Sequence, residues 1–163
     1  MLKAIKVLHL LAVVLFFGSI LGHVALGFVP DARSDPQTAL FVRQAITVAT
    51  ESLTLPGLAL LLLTGAAMGL KGRLRILRLR WLTLHGLIGL LIAANALVVL
   101  VPLGQELVAA ASRGAGGIWP PEGFAALEAR EAAFGAVNVL LCLAALLVAV
   151  VKPRLGQAPN AGA

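Results

Sequence analysis

The sequence predicts an all-α integral membrane protein, a bundle of four transmembrane helices with both termini in the cytoplasm. Three observations carry that expectation. Of the 163 residues, 60% are hydrophobic and only 12% are charged, with a mean hydropathy of +1.00, which leaves a soluble domain too little polar surface. Four stretches hold no charged residue at all: Val7 to Pro30, Ser52 to Leu70, Trp81 to Gln105 and Ala132 to Val151. The basic residues, finally, are divided unevenly between the two ends of those stretches.

Each uncharged stretch has roughly the 20 residues that an α-helix needs to cross about 30 Å of hydrocarbon. Runs this long and this rich in leucine suit helices, which satisfy their own backbone in lipid, rather than the alternating strands of an outer-membrane barrel. The first run follows Lys3 and Lys6, as a signal peptide would. It is longer than the roughly 7 to 15 apolar residues of a signal core, so it reads as a permanent span. The spans are placed at about 5–29, 46–70, 81–104 and 131–151, within one domain of residues 1–154, followed by a disordered cytoplasmic tail, 155–163.

The connections follow from the same reading. Residues 30 to 42 form a short outer loop, and residues 112 to 131 a longer outer segment broken by Gly and Pro, in which Glu122 to Glu131 starts a helical turn. Trp119 and Phe124 are expected at the outer interface and Trp81 at the inner one. Pro56 is expected to kink the second span. No internal repeat stands out in the sequence, and no separate soluble domain.

With four spans, the termini and the second connection share a side. That side holds Lys3, Lys6, Lys71, Arg73, Arg75, Arg78, Arg80, Lys152 and Arg154, nine of the thirteen basic residues, and no acid. Arg33, Arg43, Arg113, Arg130 and all seven acids lie on the other side or in the outer half of a helix. By the positive-inside rule both termini are cytoplasmic. The formal charge of +6 is then a matter of topology, and nucleic acid is not an expected partner. The run KGRLRILRLR also offers a surface for anionic lipid head groups.

The chain has three histidines, and all of them fall in spans. His9 opens the first span and His85 the third, two helices that run outward from the same face, so the imidazoles sit at similar depth. His23 lies about 21 Å further out at 1.5 Å per residue. Fourteen positions at 100° each bring it to within about 40° of the direction of His9, on the same helix face. The spacing resembles that of dihaem membrane cytochromes b, where one helix supplies a ligand at each level. Imidazole is a good axial ligand, and two facing helices at one depth can clamp an iron while the porphyrin fills the apolar core. The expected cofactor is haem b, held by His9 and His85, with His23 as a ligand for a second haem that would need a different sixth ligand. Gly89, one turn from His85, would let a flat ring approach the backbone. Gly18 and Gly22 lie on the other face of the first helix and are expected to pack against a neighbour.

Against this stands a plainer reading, in which each histidine near a membrane boundary snorkels or bonds a carbonyl. Glu51, an ionisable group near the depth of His23, is expected to pair with His23 and to carry protons or bind a quinol or a metal at the outer face; its alternative is an interfacial pair with Arg43 or Arg130. Asn95 and Asn138 are expected to join helices, and the single Cys142 to pack in the core. Met68 and Cys142 lie too far apart in depth to hold copper with one histidine.

The segments KAIKVLHLLAVVLFFGSILG, TLPGLALLLLTG, RWLTLHGLIGLL and FGAVNVLLCLAALLVAVVKP resemble a superfamily of small bacterial four-helix membrane proteins. It includes the copper-resistance D domain and the membrane-bound, haem-binding protoporphyrinogen oxidase. The LTLPG to LLTG stretch is most similar to an uncharacterised branch of predicted integral membrane proteins. The resemblance implies a bacterial inner membrane and a b-type haem ligated by His9 and by His85. The oxidase branch carries a lysine shortly after its third-helix histidine and an FNE-like motif in its last helix, where this chain has HGLIG and FGAVN; those departures weigh against protoporphyrinogen oxidation. The expected function is therefore electron transfer, as a membrane oxidoreductase linked to quinone and a periplasmic redox protein, in a homo-oligomer or a larger complex. The rival is a non-redox structural or assembly subunit.

Overall fold

A computed structural model describes residues 2–71 and 79–153. The tail at 155–163 and most of the basic run after Lys71 lie outside the described residues. Among the described residues there are six α-helices: α1 (Leu2–Leu26), α2 (Pro36–Ala49), α3 (Leu55–Lys71), α4 (Arg80–Ala94), α5 (Val101–Ala115) and α6 (Phe124–Val151). Short π-helical turns join α2 to α3 (Thr50–Thr54) and α4 to α5 (Asn95–Leu100). Four continuous helical rods result, Leu2–Leu26, Pro36–Leu70, Arg80–Ala115 and Phe124–Val151, each long and apolar enough to cross a membrane. Among the described residues there is no strand.

The rods are apolar outside as well as inside. Val14, Leu63, Leu140 and Val150 are 70%, 69%, 65% and 79% exposed, an arrangement that lipid tolerates and water does not.

Spans 2 and 3 are longer than the sequence suggests. At about 1.5 Å per residue, their 35 and 36 residues exceed the ~30 Å hydrocarbon thickness. The second span begins at Pro36, so the expected loop over 30–42 ends seven residues early. The cause is local. The Asp35 side chain accepts from Thr38 N–H at 2.7 Å, and Pro36 follows it in the first turn, a capping residue and a preset φ in the order that starts a helix. Hydrogen bonding from the Thr38 side chain, and then from its N–H, holds the half-buried Asp35 carboxyl below its ordinary range.

The distal halves α2 and α5 pack on each other and on the start of α6, forming a small cap at the end away from the termini. Leu107, Ala110, Ala111 and Phe124 are its core. Phe124 is 3% exposed, a core residue and not the interface anchor expected of it. The guanidinium of the buried Arg43 lies 5.9 Å from the Phe124 ring centroid and donates to both Glu131 and Glu128. Arg43 is thereby committed to α6, not to Glu51. Trp119 stacks on Phe124 at 4.9 Å and donates from its indole nitrogen to the Arg33 carbonyl, tying the two distal connections together. A Cβ at Gly114 would meet the Trp119 ring at 2.5 Å, so α5 needs glycine under that ring.

The kink expected at Pro56 takes the form of a wide turn. Proline lacks an N–H and its ring crowds the carbonyl four residues earlier. For Pro56 and Pro102 those carbonyls belong to Ser52 and Val98, both inside the π-helical turns. Pairing five residues back absorbs the misfit without breaking the rod. At the other end, Lys152 terminates α6 in the left-handed region (φ 48°), and its ammonium sits 5.8 Å from the Trp81 ring centroid.

Two helical hairpins make up the bundle, α1 with α3 and α4 with α6. Contrary to the expectation of no internal repeat, they share one pattern of partners. A displacement of 76 residues carries 9 to 85 and 19 to 95; it superimposes His9 on His85, Ser19 on Asn95, and the buried Ala12, Phe16 and Ile20 on the buried Ile88, Ile92 and Ala96. Ser19 bonds Thr54 of its hairpin at 2.8 Å, and Asn95 donates to Asn138 of its own at 3.2 Å. Phe16, Ile20, Leu58, Ile88, Ile92 and Cys142 meet in the common core. Within the first hairpin the helices come close at Gly57, where a Cβ would lie 2.9 Å from the Phe16 nitrogen. Gly18 and Gly22, expected to pack on a neighbour, have nothing within 4 Å of an added Cβ.

Gly57→Val should therefore destabilise the protein by about 1–3 kcal/mol through overpacking, whereas Gly18→Val should be close to neutral; thermal unfolding in detergent compares them. Arg43→Ala strands two carboxylates that are 23% and 25% exposed. A loss of about 2 kcal/mol or more is expected, at the lower end for a broken buried pair because water reaches the acids.

Candidate functional site

Both histidines of the matched pair lie near the ends of α1 and α4 that face the terminal side of the bundle. His9 is half-buried, and its Nδ1 lies 2.8 Å from Thr64 Oγ1 on α3. The Thr64 hydroxyl has a single proton. Its oxygen sits 2.6 Å from the Leu60 carbonyl and 3.2 Å from that of Leu61, both of which can only accept. The hydroxyl therefore donates to its own helix and accepts from the ring, which places the imidazole proton on His9 Nδ1. His85 Nδ1 lies 3.1 Å from the Ala145 carbonyl on α6, another acceptor, which again requires N–H at Nδ1.

The same consequence follows for each ring. With the proton on Nδ1, Nε2 keeps its lone pair, and neither Nε2 has a hydrogen-bond partner among the described residues. Gly86 and Gly89, one and four residues after His85, have nothing within 4 Å of an added Cβ, and Gly86 is exposed. Gly65 lies against the His9 ring, 3.7 Å from Cε1 to where its Cβ would be.

The structure does not join the other pair. His23 is half-buried near the distal end of α1, and its Nε2 is buried with no hydrogen-bond partner. Glu51 is exposed, in the first π-helical turn, and makes no hydrogen bond or ion pair among the described residues. Cys142 is buried in the common core, and Asn95 and Asn138 join α4 to α6, as their residue types suggest. No cluster of three or more His, Cys, Asp or Glu side chains is present among the described residues, so a bare metal ion has no conventional cage.

Thr64 is the residue that sequence reading passed over. It sits in LLLLTGAA, where a threonine ordinarily bonds back to its own helix. The signal was its depth: in an antiparallel hairpin it falls level with His9.

Four membrane-crossing helices in two hairpins, with a depth-matched histidine pair, define a small polytopic integral membrane protein. The chain belongs to the family described as predicted integral membrane protein (DUF2269), whose model matches residues 3–153. No curated protein and no solved structure matches it.

His23 provides a test of the buried polar inventory. An unpaired buried nitrogen costs about 1–3 kcal/mol, so His23→Leu should leave stability unchanged or raise the unfolding temperature in detergent, while His9→Leu, which breaks a bond to Thr64, should lower it.

Proposed function

We propose that the protein binds haem b within the bilayer, with His9 and His85 as axial ligands between α1 and α4, and that it transfers electrons in a bacterial cytoplasmic membrane. The observation that carries this reading is the matched bonding of the two Nδ1 atoms. Ligand histidines need the other ring nitrogen anchored, because the anchor selects the tautomer and aims the lone pair. Here both rings meet that requirement, from opposite hairpins, at one depth and in an apolar core. When bound, haem would supply a one-electron couple inside the membrane. The chain's own part is to orient the two Nε2 atoms, to surround a porphyrin with aliphatic side chains and to keep water out.

The excess of basic residues around the termini supports a cytoplasmic position for that end, and so for the histidine pair. Glu51 is exposed in the π-helical turn of span 2, a position suited to exchanging protons with a quinol or with water. A periplasmic redox partner would meet the polar cap. These two hairpins supply one complete ligand pair, and His23 would enter a second site only with a ligand from elsewhere.

A second reading also has an observation in its favour. Each ring already bonds the other helix of its own hairpin, so imidazoles serving as helix joints in a non-redox assembly subunit would look alike in this respect. The resemblance to a protoporphyrinogen oxidase is less supported, because its lysine and last-helix motif are missing.

A reduced-minus-oxidised spectrum of purified protein, with haem counted per chain, separates these readings. A b-type spectrum at about one haem per chain is expected, lost in His9→Ala and in His85→Ala and retained in Glu51→Gln. Absence of haem from protein produced with ample haem supply would reject the proposal and favour the non-redox bundle.

A further inference from the structure

We infer that Thr64 is the positioning residue that makes His9, and not His23, the α1 histidine able to face an iron. The inference rests on the haem reading above and deepens it, and it begins from the register of the first hairpin. Residues 9 and 64, 16 and 57, and 19 and 54 meet in turn along α1 and the second span. Continued outward, that register sets His23 level with Thr50. Both α1 histidines thus face a threonine, and both threonines donate to the carbonyl four residues back, Thr64 to Leu60 at 2.6 Å and Thr50 to Ile46 at 2.8 Å.

The outcomes differ. Thr64 accepts from His9, whereas Thr50 makes no hydrogen bond with His23, whose Nε2 is walled in without a partner. Between the two levels lies the π-helical turn Thr50–Thr54. A turn with five-residue pairing rotates what precedes it, by an amount on the order of tens of degrees, relative to an unbroken α-helix. Thr50 is carried off the line that Thr64 keeps. His9 consequently has one tautomer and one aimed lone pair; His23 has no anchor to select its tautomer or aim its ring.

Thr64 is also the accessible handle on the pair. The anchor of His85 is the backbone carbonyl of Ala145, which no side-chain substitution removes. The anchor of His9 is a hydroxyl.

The test uses the full-length chain in lipid bilayers with ring-15N histidine, first without haem. Solid-state NMR should find His9 protonated at Nδ1 in the wild type, lose that preference in Thr64→Val, and recover it in Thr64→Ser. Loaded with haem, Thr64→Val should bind about 10–100-fold more weakly with a shifted spectrum, Thr64→Ser should resemble the wild type, and His23→Ala should keep its haem. A His9 proton on Nε2 in the wild type, a Thr64→Val variant with unchanged His9 resonances, or loss of haem in His23→Ala would overturn the inference. If the wild type takes no haem but Thr64→Val still moves the His9 proton, the haem reading falls while the positioning role of Thr64 stands.

Discussion

In hydrocarbon a polar side chain has only the protein to bond to, and the placement of polar groups in this bundle follows from that constraint. Ser19 turns to Thr54, Asn95 to Asn138, His9 to Thr64 and His85 to the Ala145 carbonyl. Each bond crosses from one helix of a hairpin to the other. Apolar packing gives little preference for one helix face over another when the surrounding solvent is itself apolar. These cross-bonds, with the close contact at Gly57, therefore define the depth and rotation at which the helices lie.

The repetition of the pattern gives the histidines their meaning. A single imidazole bonded to a neighbouring helix is a joint and nothing more. Two of them, at equivalent positions of two hairpins and with the same nitrogen committed, leave two lone pairs at one depth. The repetition stops at the outer level, where His23 corresponds to Val99 in the 76-residue displacement, and there the second span has a wide turn in place of regular helix. The asymmetry between His9 and His23 is thus a property of the backbone on the facing helix rather than of the histidines themselves.

The distal cap obeys different physics. Where spans 2 and 3 outrun the bilayer, α2 and α5 carry their own small core, and Arg43 sits between Glu128 and Glu131 beneath the aromatic pair Trp119 and Phe124. Charge is affordable there because it is paired and water reaches the acids. The cap ties span 2 to α6 through charge, adding to the apolar core in which Leu58 and Cys142 already bring the two hairpins together.

Hydrophobic composition and uninterrupted apolar length determined by themselves that this chain crosses a membrane four times as helices, since a helix satisfies its own backbone in lipid and runs this long lack the alternation of barrel strands. Sequence spacing also placed His9 and His85 at one depth, because helical rise is fixed. It could not reveal which residues answer them. Thr64 and Ala145 lie 55 and 60 residues from their histidines, and helix rotation, set by packing, decides whether such residues meet. Hydropathy likewise stopped short of Pro36, as Arg43 and its polar neighbours lower it, although Asp35 and Pro36 spelled a helix start in plain local chemistry. The commitment of Arg43 to α6, the unpaired His23 nitrogen and the shared hairpin pattern were decided by tertiary structure alone, because each depends on how one helix is turned toward another.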